Sequence, residues 1–319
     1  MDLSAVEAFV LAAETRSFTK AAQKLGLTAS GISKAVTRLE TQVGVMLLHR
    51  TTRTVGMTGD GAIFFERCKQ ILSDLKEAEG LLAKTALMPS GRLRVTMPIS
   101  FGRAIIIPAL AGLSQSHPEL TIECSLSDAT IDLVKEGIDA ALRIGDLPSS
   151  GLVARNIGTT RWVACASPEY LKRRGVPKTP DDLSIHDCVA YMMEKTGRSL
   201  DWQFKLQEDA WTIRVSDICR LSVDHCDALI DLALAGGGIV YVHDYVVARH
   251  LAEGRLVRLL VDYETATRGI HVVYPPLRQL SPKVRTFVEM AIRALPEAAP
   301  GVLHLETALT NALETEAGR

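Results

Sequence analysis

The sequence lacks most of the features that mark a catalytic or exported protein. Its six cysteines, at 68, 124, 165, 188, 219 and 226, include no CxxC pair and sit mostly among apolar neighbours. In a chain this long they read as the reduced thiols of a cytoplasmic protein, not as a disulfide framework. No apolar run approaches the roughly 20 residues that a bilayer-spanning helix needs. The N-terminus has no basic start followed by an apolar core, so neither export nor a membrane partner is expected. There is no GxSxG and no HExxH, and His186 with Cys188 or His225 with Cys226 is too sparse for a zinc site, so no metal and no cofactor are expected. LAGGGIV, at 234 to 240, lacks the lysine and the glycine spacing of a phosphate loop, and reads as a helix stop running tightly into a strand. Without a nucleophile, base or metal constellation, the chain is not expected to be an enzyme.

A net excess of either charge is missing as well. There are 36 cations against 37 carboxylates, a net of −1 over 319 residues. The balance hides an asymmetry. Between Arg16 and Val55 stand seven cations (Arg16, Lys20, Lys24, Lys34, Arg38, Arg50 and Arg53) and one carboxylate, Glu40. A local basic patch on a near-neutral chain favours a polyanionic partner for that segment alone.

The first sixty residues read as three short helices. One runs from about Leu3 to Glu14, with Val6, Phe9, Val10 and Ala13 on one stripe. Ser17 caps a second, whose Phe18, Ala21, Ala22 and Leu25 face inward, and Thr28 caps a third that Gly44 ends. Two helices joined by a turn as short as Gly26 and Leu27 must cross steeply, which is helix-turn-helix geometry. The third helix buries Ile32, Val36 and Leu39 and turns outward only Ser30, Ser33, Lys34, Thr37 and Arg38. The strand-like pieces 47 to 51 and 53 to 58 then form a hairpin with Arg50 and Arg53 at its tip. A basic hairpin beside a helix-turn-helix is a wing, able to reach phosphates or the minor groove.

These residues resemble the winged helix of the LysR-type transcriptional regulators. The shared words are Phe9, SFTKAA at 17 to 22, LGLT at 25 to 28, ISK at 32 to 34, LE at 39 and 40, VG at 43 and 44, LLHRTTR at 47 to 53, and Thr58 followed by Gly61. The resemblance implies that the helix beginning at Thr28 enters the major groove of promoter DNA. Thr28, Ser30, Ser33, Lys34, Thr37 and Arg38 would then lie at base edges and phosphates, with Arg50 and Arg53 as wing contacts. Ala29 and Gly31 depart from the glutamine and alanine common in the family, so base reading leans on Ser33, Lys34 and DNA shape.

After the wing, Phe64, Cys68, Ile71, Leu75, Ala78 and Leu82 alternate spacings of four and three, the seam of a two-stranded coiled coil. The alternative is an amphipathic helix packed on its own domain. The helix is expected to run to about Met88, where Pro89, Ser90 and Gly91 stop it. A dimer reads two half-sites, which compensates for a recognition helix with few base contacts. By resemblance the family commonly assembles as a homotetramer, a dimer of dimers that bends its DNA and contacts RNA polymerase.

From Arg92 onward, strands and helices alternate: LRVTM, a helix over about 102 to 116, LTIECSL, a helix near 131 to 137, and IDAALRI. This argues a parallel sheet with crossover helices. A second unit begins near RWVACA at 161 to 166 and includes RLSVD and GIVYV, while GIHVVYP at 269 to 275 and a helix over 282 to 295 return to the first. Two α/β subdomains joined by two crossovers form a cleft, as in periplasmic binding proteins. DAALRIG at 139 to 145, ASPEYL at 166 to 171 and AGGGI at 235 to 239 resemble the LysR-type effector domain.

The expected architecture is thus a multi-domain α/β chain: a winged helix at 1–58, a linker helix at 59–89, an effector domain at 90–295 and a tail at 296–319. Within the effector domain, subdomain I covers about 90–162 and 267–295, and subdomain II about 163–266. Ser100 and Phe101 follow the first strand and precede a helix, where backbone amides form an anion cradle. By resemblance the cleft is lined near Ser100, Phe101, Thr130, Arg143, His225 and His243, the last replacing a usual proline. A small organic anion is the expected effector. An alternative is redox or pH sensing through Cys219, Cys226 and the two histidines, set against buried, inert cysteines.

Overall fold

The computed structural model describes residues 2–50, 55–82, 88–193, 196–265, 267–278 and 281–298, with no side chain described at 50, 73–74, 76–82, 277 and 296–298. The chain divides into two units, Met1–Gly91 and Arg92–Arg319.

The first unit is built by its caps. Helix α1 (Leu3–Thr15) starts at Asp2, α2 (Phe18–Leu25) at Ser17 and α3 (Ala29–Val43) at Thr28, each cap side chain accepting a hydrogen bond from an early amide. Strands β1 (Leu48–Arg50) and β2 (Val55–Met57) form the antiparallel wing. Thr58 Oγ1 then accepts from the Gly61 amide at 2.8 Å and donates to the Met46 carbonyl at 2.7 Å. It thereby starts α4 (Gly59–Leu82) while tying it to the wing root. The core centres on Phe9, which packs with Ile32, Val36, Leu39, Leu47 and Leu48. A Cβ at Gly61 would stand 1.9 Å from the Leu47 carbonyl oxygen, so only glycine lets α4 lie this close to the wing.

Helix α4 corrects one expectation. The Phe64 ring lies 5.7 Å from that of Phe9 and Cys68 is buried in the same core. Lys69 pairs with Glu14 of α1 at 2.8 Å. The first turns therefore pack on their own domain, and among the expected seam residues Ile71 and Leu75 are exposed. The side chains of Ala78 and Leu82, and the extension toward Met88, lie outside the described residues.

In the second unit, β3 (Gly91–Met97) leads into a broken helix: one turn, α5 (Ile99–Phe101), a π-helical turn over Gly102–Ile106, and α6 (Ile107–Ser116). Then come β4 (Leu120–Leu126), α7 (Leu133–Glu136), β5 (Ala140–Ile144) and β6 (Val153–Thr160). The chain crosses at Arg161 into a second lobe: β7 (Trp162–Ala166), α8 (Pro168–Arg174), β8 (Cys188–Tyr191), the β9 (Trp202–Leu206) and β10 (Asp209–Ile213) hairpin, and β11 (Cys219–Val223). It continues through α9 (Cys226–Leu234), β12 (Val240–His243), α10 (Asp244–Ala252) and β13 (Val257–Leu259). β14 (Arg268–Tyr274) returns to the first lobe, and α11 (Pro282–Ala298) covers its sheet.

The first-lobe sheet has the order β4-β3-β5-β14-β6. β3 and β5 are parallel as expected, but β14 comes back from the second lobe and pairs antiparallel with both β5 and β6, so the sheet is mixed. Asp139, wholly buried at the start of the DAALRIG word, anchors this sheet. Its Oδ2 accepts from the Arg94 amide at 2.8 Å, and its Oδ1 lies 3.2 Å from Arg278 and 3.3 Å from Lys283. The AGGGI stretch is the tight stop expected from the sequence. Gly238 has φ 147° and a Cβ there would stand 2.3 Å from the Asp187 carbonyl.

Candidate functional site

Two surfaces are candidates for the functional chemistry. The first is the outer face of α3. Thr28 Oγ1 accepts from the Gly31 amide at 3.1 Å and lies 3.2 Å from Ser30 Oγ, so it is both cap and rim. Thr37 donates its hydroxyl proton to the Ser33 carbonyl at 2.9 Å. Thr28, Ser30, Lys34, Thr37 and Arg38 are exposed and Ser33 is half-buried, opposite the buried Ile32, Val36 and Leu39. Arg38 forms an exposed pair with Asp2 at 2.9 Å. Arg50 ends β1, but its side chain and all of Arg53 lie outside the described residues.

Glu40 has a role that the sequence reading missed. Counted there only as the lone carboxylate of a basic segment, it is buried, and its Oε1 accepts from the amides of Leu47 at 2.9 Å and Leu48 at 3.1 Å. It fixes the wing root to the end of α3. The only signal was its place in the LE word, since a bond to backbone seven residues onward has no side-chain pattern.

The second surface is a cavity of about 320 Å³ between the two lobes of the second unit. Ser100, Thr130, Arg143 and His243 line it as expected. Phe101 and His225 do not. Successive residues of a helical turn point about 100° apart, so Ser100 faces the cavity while Phe101 is buried in the first-lobe core. His225 is the N-cap of α9, 3.9 Å from Asp227, and its neighbour Cys226 takes the place in the wall.

One amide of the expected cradle at Ser100 is already engaged. The Ile99 amide already donates to the carboxylate of Asp128 at 3.2 Å, and the Ser100 hydroxyl bonds to Cys226. Positive charge comes instead from Arg143. Its Nη1 donates to its neighbour's carbonyl, Leu142 O, at 3.2 Å, while Nη2 is buried with no hydrogen-bond partner among the described residues. Burial lowers its pKa from the ordinary arginine value. A buried guanidinium donor without a partner is costly, and a ligand oxygen relieves that cost.

The rest of the wall is aromatic. Trp162, from β7, stacks with Tyr241 at 5.3 Å and with His243 at 4.0 Å, both from β12. His243 stacks in turn with Tyr245 at 5.5 Å, and Tyr245 meets Phe101 edge-on. Burial, aided by the charge of Arg268, pushes His243 down to about 3, so it is neutral at neutral pH. Tyr191 completes this side of the wall.

The cysteines favour the inert reading. Burial pushes the Cys226 thiol up to about 11 despite the Ser100 hydrogen bond, and Cys219 is register partner to Cys188, not to Cys226. All six thiols are free. Among the described residues no cluster of His, Cys, Asp and Glu could hold a metal, and no helix is long and apolar enough to cross a membrane.

A winged helix-turn-helix in one unit and a cavity between two α/β lobes in the other define a DNA-binding transcriptional regulator with an effector-binding domain. The chain belongs to the LysR family. Residues 3–62 match the bacterial regulatory helix-turn-helix protein model of the lysR family, and residues 87–296 match the LysR substrate binding domain. It is 32% identical to the HTH-type transcriptional regulator YhjC of Escherichia coli over 92% of this chain and 98% of that protein. It is 33% identical to the regulator DmlR of the same organism, over 93% of this chain and 96% of that one. Among solved structures, that of CrgA, a LysR-type transcriptional regulator from Neisseria meningitidis, is similar with a TM-score of 0.60 at 30% identity, covering 92% of this chain and 99% of that one.

Proposed function

We propose that this regulator binds promoter DNA as a dimer of dimers and responds to a small organic anion held in the inter-lobe cavity. Residues 1–58 would read DNA, 59–89 would dimerise, 90–295 would bind the effector, and the tail at 296–319 is left without a role. On DNA, Ser30, Ser33 and Lys34 meet base edges and nearby phosphates, Thr28, Thr37 and Arg38 flank them, and Arg50 and Arg53 supply wing contacts. The dimer is held by α4 from Ile71 onward, with Leu75, Ala78 and Leu82. Ligand binding that favours one arrangement of the two lobes biases the placement of the dimers, the DNA bend and contact with RNA polymerase.

The observation that carries the anion is Arg143, a half-buried cation whose buried Nη2 has no hydrogen-bond partner among the described residues and which lines the cavity. Thermal-shift titration of the full chain with organic anions, neutral amides and amines tests it. Stabilisation by one or more anions, lost in Arg143→Gln, is expected; stabilisation by neutral or cationic compounds alone overturns the reading. Sedimentation with a two-half-site duplex tests assembly: four chains per duplex are expected, and saturation at two overturns the dimer of dimers.

A further inference from the structure

The ring stack beside the cavity constrains the ligand's body as Arg143 constrains its charge. We propose that the effector is a planar aromatic monocarboxylate, its carboxylate on Arg143 and its ring face against the edges of Trp162, Tyr241, His243 and Tyr245. The proposal rests on the reading of the cavity as an anion site.

Three observations support it. The stack runs Tyr241 to Trp162 to His243 to Tyr245, with interplanar angles of 13°, 29° and 14°. Rings whose faces are turned to one another present their edges to the space beside them. Ring edges carry the positive part of the aromatic quadrupole and faces the negative part, so the complement of an edge-lined wall is the face of another ring. A saturated ring of equal size fills the same volume without that electrostatic term.

The charge count sets one carboxylate, not two. Arg143 is the cation among the residues lining the cavity. The exposed carboxylate of Asp128 stands at the same wall and repels a second anionic group. His243 also adds no positive charge. Its Nδ1 is 3.4 Å from Thr160 Oγ1, and that hydroxyl donates its own proton to Asp244 Oδ1 at 2.6 Å, leaving Thr160 to accept from the imidazole N–H. The imidazole thus carries a proton on Nδ1, and burial, with the charge of Arg268, keeps the ring neutral.

Size agrees. A cavity of about 320 Å³ lies at the lower end of the range for small-molecule sites, roughly 300 to 1,000 Å³, which suits a single ring with one substituent.

The test is isothermal titration of the full chain with benzoate, cyclohexanecarboxylate, benzamide and succinate. Benzoate is expected to bind at least about tenfold tighter than each of the others. In Trp162→Leu the margin over cyclohexanecarboxylate is expected to shrink to less than about threefold, while Trp162→Phe keeps it, with melting curves confirming that both variants fold. The wild-type series decides the matter even if Trp162→Leu does not fold. Equal binding of benzoate and cyclohexanecarboxylate overturns the aromatic inference and leaves the anion reading standing. Equal binding of benzamide and benzoate overturns the anion reading itself. Binding of succinate alone, or of none of the four, overturns the aromatic monocarboxylate, and the wider anion panel then decides the site.

Discussion

The imidazole of His243 lies 4.0 Å from the indole of Trp162, 29° from parallel. This contact places the ring in a desolvated wall beside the charge of Arg268, and both disfavour the cation. Burial among the rings holds its pKa at about 3.

A pH dependence of stability follows. Unfolded histidine titrates near 6.5, so below that pH the unfolded chain takes up a proton that folded His243 refuses. The stability present above pH 6.5 is lost as pH falls toward about 3, at about 1.4 kcal/mol per pH unit. His243→Phe is expected to flatten the fall between about pH 6 and 4 by that slope, read from denaturant midpoints. Parallel curves for variant and wild type would show that the imidazole is not held neutral.

Glu40 gives a second expectation. Replacing it with alanine leaves the Leu47 and Leu48 amides without their carboxylate acceptor at a buried wing root. The cost is expected to be about 2 kcal/mol or more, from a penalty of roughly 1 to 3 kcal/mol per unsatisfied buried group. Glu40→Gln keeps a carbonyl oxygen and should lose less. Equilibrium unfolding of the three proteins checks the order.

On the DNA face, Lys34→Ala is expected to weaken promoter binding and to lower the slope of log affinity against log salt by about one if a phosphate contact is lost. Arg38→Ala should weaken it less, because Arg38 is already engaged with Asp2. Gel-shift titrations at several salt concentrations measure both, and wild-type affinity in Lys34→Ala would count against the assignment.

Beside the cavity, Arg103 of the first lobe pairs with Asp227 at the start of α9 in the second. Arg103 is more than half exposed, so Arg103→Ala should cost less than about 1 kcal/mol of stability. Effector affinity is nevertheless expected to shift, since the pair joins the two lobes that line the proposed effector cavity. Arg103→Ala and Asp227→Asn should shift it equally, and the double variant no further than either alone; additive effects would show that the two residues act separately.

The winged helix was legible because its signals are local. Ser17, Thr28 and Thr58 cap the helices read from them, and Gly44 closes α3. Even Gly31, unexplained by pattern, has a local reason: a Cβ there would press to 3.2 Å from the capping Thr28 Oγ1. The stripe of α4 was ambiguous because its first turns bury Phe64 and Cys68 inside the domain at the same spacing that a coiled-coil seam would use. The mixed sheet was not legible, since the direction of β14 depends on the route the chain takes through the second lobe. β6, polar and interrupted by Asn156 and Gly158, gave no strand pattern. In the cavity, the family words located the right segments but not side-chain direction, which is how Phe101 and His225 were included and Trp162, Tyr241 and Tyr245 left out.

The grip on α4 has a mechanical consequence. Phe64 against Phe9, Lys69 against Glu14 and Gly61 against Leu47 hold the base of this helix at three points. No swivel separates it from α3, the proposed recognition helix. Torque applied to the shaft beyond Ile71 would therefore be delivered to α3 as rotation of one solid piece, and in the proposed dimer the angle at which Lys34 meets DNA would be set by how two such shafts are clasped.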